Sequence, residues 1–274
     1  MGAPSRCKIS GASLLRNIAS RVCYHLQGEM RKRLFSWYWR LERLIHPGLR
    51  YSQSHYHDLL DARVPQNCDW LELGCGHQMF ASWMQKEERE LASRSRRLIG
   101  IDRDMLGLKE NAVIHHAVFG DVGALPFESG SFDLVTANMV VEHLEDPAAV
   151  LESVRQVLRP GGLFIFHTPN RNCVVMTMAR MMPQFIKNWL ALLLEGREEK
   201  DVFPTHYAMN DSEAIMRHAR AAGFAVREIR SVSTSATTAL ITPLCIIELL
   251  YLRMLERPAF AGLRSNLIAT LERS

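Results

Sequence analysis

Paired cysteines are the first thing this sequence lacks. Cys7, Cys23, Cys68, Cys75, Cys173 and Cys245 are scattered, with no C-x-x-C pair and no Cys/His cluster at zinc-finger spacing. A disulfide scaffold and a structural zinc site are thereby excluded, no metal is expected, and the thiols read as reduced in a cytoplasmic setting. Long hydrophobic runs are missing as well. The most apolar late stretch, Ala236 to Leu252, is broken by Pro243 and Glu248 and falls short of the roughly 20 apolar residues that span a bilayer. Near the start, Lys8, Arg16 and Arg21 interrupt the only candidate core of a secretory signal. Residues 6–27 are basic, contain serine and hold no acid, a pattern shared by organelle transit peptides and by disordered or alternatively started N-termini. An excess of one charge is lacking too: 33 basic against 29 acidic residues leave a net +4, so no nucleic-acid partner is expected, although part of the surplus sits in the first forty residues. There is no internal repeat and no low-complexity tract.

What remains is ordinary globular composition, 47% hydrophobic and 23% charged over 274 residues, enough for one large domain with a sizeable core. From Met30 to His46, Leu34, Trp37, Tyr38, Leu41, Leu44 and Ile45 recur at helical spacing between basic residues until Pro47-Gly48 stops the pattern. This predicts an amphipathic helix ahead of the main domain. From residue 68 onward, short apolar runs at Asp69–Leu73, Leu98–Ile101, His116–Phe119, Phe132–Ala137 and Leu163–His167 alternate with helical patterns at Gln78–Leu91, Met105–Asn111 and Pro147–Val157. Such alternation predicts an α/β fold with a mostly parallel sheet and helices on both faces. Asp146 can cap the third of these helices, Pro147 fits its first turn, and Pro160-Gly161-Gly162 follows its end. Residues 173–194 are Met-rich and apolar and read as a helical insertion after the fifth strand. Asp211–Ala222 reads as a further helix capped by Asn210 or Asp211, and Ala225–Val232 as a strand. A seventh strand is not obvious.

The segment Trp70-Leu71-Glu72-Leu73-Gly74-Cys75-Gly76-His77 ends the first strand of the α/β region. Gly74 and Gly76 permit a tight turn and the close approach of a ligand at the carboxyl edge of the sheet. Two glycines alone also describe a plain turn, and their weight comes from order along the chain. Asp102 closes the second strand, where its carboxylate can accept hydrogen bonds from ribose hydroxyls. Gly120-Asp121 closes the third, where an acid can accept an adenine amino hydrogen and the Val122 amide can donate to the ring, and Asn138 closes the fourth. Polar groups at successive strand ends converge on one rim of the sheet.

On these residues the sequence resembles the class I S-adenosylmethionine-dependent methyltransferases. The resemblance covers residues 68–168, through Glu72-Leu73-Gly74-Cys75-Gly76, Asp102, Gly120-Asp121, Leu125-Pro126-Phe127, Ser131-Phe132-Asp133-Leu134-Val135 and Leu158-Arg159-Pro160-Gly161-Gly162. Val141-Glu142-His143-Leu144-Glu145-Asp146-Pro147 and Thr168-Pro169-Asn170-Arg171 look like the small-molecule branch that includes quinone-biosynthesis O-methyltransferases. The resemblance implies a Rossmann-like core that binds S-adenosyl-L-methionine, with Glu72 to Gly76 on the methionine portion, Asp102 on the ribose, Asp121 and Val122 on the adenine, and Cys75 inside the turn. The division it suggests is a basic segment over 1–28, a helical extension over 29–62, the methyltransferase domain over 63–235 with an insertion at 173–207, and an apolar extension over 236–274. A nicotinamide dinucleotide enzyme is the alternative within the fold, but its third fingerprint glycine falls on Met79 here. The expected activity is methyl transfer to a small, apolar or lipid-like acceptor at oxygen. Against it stands a catalytically silent protein of the same fold. An oxygen acceptor needs a base, and His143 reads as that base or as a polar loop residue. His206 and Tyr207 read as a cover over the acceptor or as an ordinary aromatic loop. His167 is a further candidate, and the sequence ranks none of these above the others. Peripheral membrane contact, through the amphipathic helix or the C-terminal apolar stretch, is a separate expectation.

Overall fold

Every residue of the first strand, β1 (Cys68–Leu73), is buried. Burial on both faces is the condition of a parallel strand covered by helices, and in β1 it encloses the acids Asp69 and Glu72 together with Trp70, Leu71 and Leu73. The structure, a computed structural model, describes residues 33–174, 176–177, 204–234 and 242–274. Around β1 lie β2 (Ser95–Asp102), β3 (His116–Phe119), β4 (Phe132–Asn138), β5 (Leu158–Pro169), β6 (Phe224–Val232) and β7 (Asn266–Arg273), in the order β3-β2-β1-β4-β5-β7-β6. The pairs of β1 with β2 and β4, of β2 with β3 and of β4 with β5 are parallel, whereas β7 runs antiparallel to both of its neighbours. Strand order reverses direction between β1 and β4, and a ligand crevice opens outside the carboxyl ends of strands at such a switch point.

The period of two along each strand divides the core into two layers. Leu71, Leu73, Ile99, Ile101, Val135, Ala137, Phe164 and Phe166 face one way. They pack with Val150, Leu151 and Val154 of helix Pro147–Val157 and with Ile215 and Ala219 of helix Ser212–Ala221. Trp70, Leu98, Leu134, Ile165 and Ile268 face the other way, against Tyr56, Leu59 and Leu60 of helix Ser52–Arg63 and Leu91 of helix Gln85–Ala92. Among the described residues the longer helices are, in chain order, α1 (residues 33–45), α2 (Ser52–Arg63), α3 (Gln85–Ala92), α4 (Met105–Glu110), α5 (Pro147–Val157), α6 (Ser212–Ala221) and α7 (Thr242–Leu255). Asp146 caps α5 by accepting from the Ala148 and Ala149 amides at 3.0 and 3.1 Å, with Pro147 in the first turn. Asp211, not Asn210, caps α6, through the Ala214 amide at 2.8 Å.

Several sequence expectations need correction. The helix expected over Gln78–Leu91 begins only at a 3-10 turn, Ser82–Met84, followed by α3. Residues 78–81 are instead drawn into the loop after β1, where the Met79 amide donates to Glu88 Oε1 at 2.6 Å. β5 starts at Leu158 rather than Leu163, with Pro160-Gly161-Gly162 inside an irregular pairing with β4. The seventh strand is Asn266–Arg273, within the stretch read as an apolar extension. Its first six residues are all buried, so it lacks the alternation that marks a half-exposed strand.

The chain forms two compact units, Met1–Leu49 with Ala236–Arg253, and Arg50–Ser235 with Met254–Ser274. Residues 50–62, and 254–274 with β7, therefore belong with the sheet. The expected N-terminal segment 1–28 and most of the expected insertion 173–207 lie outside the described residues. Among the described residues, no helix is long and apolar enough to cross a membrane.

Candidate active site

At the carboxyl end of β1 the chain turns through Gly74 and Gly76, both left-handed at φ 62° and 42°. A side chain on Gly74 would meet Val140 Cγ2 at 2.4 Å, so the turn after β1 and the loop after β4 lie against one another without space for a methyl group. No atom lies within 4 Å of where a Gly76 Cβ would stand, leaving open space over that backbone. Asp102, at the end of β2, accepts from the Gly76 amide at 2.8 Å through Oδ2 and from the Asp104 amide at 2.7 Å through Oδ1. Its carboxylate thus joins the glycine turn to the loop entering α4. Asn111, which no motif marks in the sequence, donates from Nδ2 to the Cys75 and Gly76 carbonyls at 3.1 and 3.2 Å. The sequence signal for it was slight, a polar residue where α4 ends.

Cys75 is buried, with Sγ where a Gly100 side chain would have to stand. Burial, then the negative charges of Glu72 and Asp102, push its thiol up, which makes it packing rather than a nucleophile. Glu72 lies beneath the turn, inside the sheet. It accepts from the Thr136 hydroxyl, which in turn accepts from the Trp70 indole. Burial first, with the charge of Glu88 adding, pushes the Glu72 carboxyl up to about 8, against the Thr136 hydrogen bond. Asp121 is exposed, accepts from the Gly123 amide at 2.9 Å and pairs with Arg103, and its carboxyl is held below the usual range by that amide and then by Arg103, against partial burial. Val122 follows it, half-buried. Asn138 donates to the Met79 carbonyl at 2.7 Å and exchanges hydrogen bonds with the Gln53 side chain of α2 at 2.9 and 3.2 Å. Phe119, 60% exposed, is paired with Asp102 across β2 and β3, and Leu106, 72% exposed, lies in the first turn of α4, its amide capped by Asp104.

A glycine turn with open space over it, a carboxylate at the next strand end and an exposed aromatic ring on the residue paired with that carboxylate share one rim. A family model described as a methyltransferase domain matches residues 26–229. The chain belongs to the methyltransferase-domain family. It is 34% identical over 138 residues to a Mycolicibacterium smegmatis protein named a probable S-adenosylmethionine-dependent methyltransferase, covering 47% of this chain and 51% of that one. It is 28% identical over 171 residues to a ubiquinone biosynthesis O-methyltransferase of Aromatoleum aromaticum, covering 61% and 68%. The match to an uncharacterized Streptomyces fradiae protein of transposon TN4556 covers only 33% of that protein, so the chain spans between a third and about two thirds of the length of these relatives. In fold it resembles the crystal structure of an S-adenosylmethionine dependent methyltransferase from Mesorhizobium loti, with a TM-score of 0.51, 18% identity and coverage of 79% and 96%.

In this methyltransferase domain the second half of the rim gathers the remaining candidates. His143 ends a 3-10 turn, Val141–His143, with Nδ1 2.8 Å from the Pro204 carbonyl. A carbonyl only accepts, so the Nδ1 proton points there and the basic lone pair is on Nε2. The His206 and Tyr207 amides donate to the Glu142 carbonyl at 2.8 and 3.1 Å. His143, His206 and Tyr207 are therefore neighbours through one loop contact, and the His206 side chain is exposed. Met139 and Tyr207 hold left-handed backbones at φ 59° and 51° without being glycine, a form of strain concentrated at functional loops. Beneath them the buried Glu142 carboxylate accepts from Thr168 at 3.1 Å, and Thr168 accepts from Asn210 at 2.6 Å. Burial pushes the Glu142 carboxyl up. His167 is placed differently from the other candidates. It is buried, stacked on Tyr56 at 5.5 Å, bonded through Nδ1 to Asn138 at 2.8 Å, and pushed down to about 3 by burial. A neutral imidazole enclosed in this way supports the rim from below.

Proposed function

We propose that this chain transfers a methyl group from S-adenosylmethionine to the oxygen of a small, apolar or lipid-like acceptor. The observation that carries the reading is the left-handed Gly74-Cys75-Gly76 turn, tied by its Gly76 amide to Asp102 and open above Gly76. Asp102 is the residue for the ribose, Leu106 and Phe119 for the adenine faces, Asp121 and Val122 for the adenine edge, and the backbone from Glu72 to Gly76 for the methionine end, beside Asn138. When bound, S-adenosylmethionine supplies a methyl group already made electrophilic by its sulfonium. The protein then has to align the acceptor, exclude water and take the hydroxyl proton. His143 takes that proton at Nε2, since its Nδ1–H is fixed on the Pro204 carbonyl. The His206–Tyr207 segment, attached to Glu142, borders the acceptor space. The name of the Aromatoleum aromaticum relative supports oxygen as the methylated atom.

Calorimetry and methyl-acceptance assays test this directly. Saturable binding of S-adenosylmethionine and its demethylated product at one site is expected, together with transfer of radiolabelled methyl to apolar phenolic compounds in lipid extracts. Binding of NAD in place of both ligands, or acceptors that are all small and charged, would overturn the reading. His143→Gln is expected to lower kcat by about 10²-fold or more, as removal of a general base does, while leaving cofactor affinity unchanged.

A further inference from the structure

The unit formed by residues 1–49 and Ala236–Arg253 carries apolar surface that the methyltransferase reading does not use. Along α7, Cys245, Leu249 and Leu252 recur at helical spacing and are buried. On the opposite side Leu244, Ile247 and Leu250 recur at three-residue intervals and are 46%, 64% and 54% exposed. Contiguous exposed apolar side chains mark an interaction or membrane surface, and the outer row of α7 is such a row, although the helix also carries Glu248 and Arg253. In the same unit, Arg253 of α7 donates to the Ile45 carbonyl at 2.9 Å, so the C-terminal ends of α7 and α1 meet. The outward side of α1 carries exposed Arg33, Arg40 and Arg43, flanked by exposed Trp37 on one side and Trp39 on the other, with Leu44 beside Trp37. Over residues 33–49 and 242–253 of this unit, four arginines face two glutamates, Glu42 and Glu248.

We infer that this unit docks on the surface of an anionic lipid bilayer. Charge complementarity decides the occupant. A second copy of the chain would bring the same arginines face to face, whereas anionic headgroups neutralise them. Exposed tryptophan beside arginine suits the headgroup level, where an indole buries its rings and keeps its N–H wet. Leu244, Ile247 and Leu250 then enter the boundary between headgroups and acyl chains, lying on the bilayer without spanning it.

The test is co-sedimentation of the full chain with vesicles of phosphatidylcholine alone and of phosphatidylcholine mixed with phosphatidylserine, at low and high salt. Binding to the anionic vesicles is expected, weakening as salt rises. Replacing Arg33, Arg40 and Arg43 together by Gln should weaken it on the order of a hundredfold. The variant Leu244→Ser/Ile247→Ser/Leu250→Ser should weaken it by more than about tenfold, with a melting temperature close to the parent's because the positions are exposed. Adding anionic vesicles should shift tryptophan emission to the blue, and Trp37→Phe/Trp39→Phe should remove that shift. Failure of the full chain to sediment with anionic vesicles overturns the inference, as does parent-like binding by both variants. A dimer in light scattering that the serine variant splits, from a parent that ignores vesicles, assigns the face to a second copy and overturns it too. Should the serine variant fail to fold, the arginine variant and the salt response decide.

Discussion

At the scale of single residues, the two glycines of the turn after β1 make different demands. Gly74→Ala adds an overlap with Val140 to the strain of a left-handed backbone, and each effect costs about 1–3 kcal/mol. Loss of soluble protein or a clearly lower melting temperature is expected. Gly76→Ala meets no neighbour, so it should cost only the backbone strain of roughly 1–2 kcal/mol. Its methyl would instead stand in the open space above the turn, where the cofactor is proposed to lie, and calorimetry should find a folded protein with little affinity for S-adenosylmethionine. Asp102→Asn should weaken that affinity by about 1.5–3 kcal/mol, the range for hydrogen bonds to a charged group, with the added risk of a loosened Gly76 amide. Glu72 gives a pH signature. Its carboxyl rises from 4.5 to about 8 in the fold, so the folded protein holds a proton there that the unfolded chain releases above 4.5. Its contribution to stability is full below pH 4.5 and is lost as pH rises through about 8. Glu72→Gln should flatten the fall in melting temperature across that window, and an unchanged slope would place the charge elsewhere.

Single elements respond to their ends. α5 packs Val150, Leu151 and Val154 into the core beneath the rim, and its first turn hangs on Asp146. Asp146→Ala should cost about 1 kcal/mol in urea unfolding, the usual worth of an N-cap, with little effect on cofactor affinity. The loop after β1 is the opposite case, an element held from outside. Glu88 holds the Met79 amide and Asn138 the Met79 carbonyl, and these contacts draw residues 78–81 out of the helix that their spacing had suggested.

For the whole molecule, β7 is the closing element, because it lies between β5 and β6 and pairs antiparallel with both. A chain ending at residue 265 would leave the buried backbone of β5 and β6 unpaired along facing edges. Aggregation, or loss of the cooperative unfolding transition, is the expected outcome. At the opposite edge of the sheet from the rim, buried Asp69 is surrounded by Arg96, Arg97 and Arg159. Burial pushes its carboxyl up, but hydrogen bonds from Arg96 and Arg159 together with the charges of Arg97 and Arg96 hold it below the usual range, so this network ties the starts of β1, β2 and β5 together at neutral pH.

By itself the sequence determined the alternation of strands and helices, the strand ends at Gly74, Asp102, Asp121 and Asn138, and the cap at Asp146, and it narrowed the α6 cap to Asn210 or Asp211. These are local properties, written in side-chain periodicity, in glycine's tolerance of left-handed backbone and in short polar side chains that satisfy nearby amides. The long-range features were legible only in the fold. Asn111 under the glycine turn, the Gln53–Asn138 pair, the Pro204 carbonyl that sets the His143 tautomer and the enclosure of His167 behind Tyr56 all join residues distant in the chain. β7 belongs with them. Its first six residues are buried whichever face they point to, so no periodicity distinguished it from an apolar tail. Only the facing edges of β5 and β6, each with backbone donors and acceptors to satisfy, decided that the last residues of the chain complete the sheet.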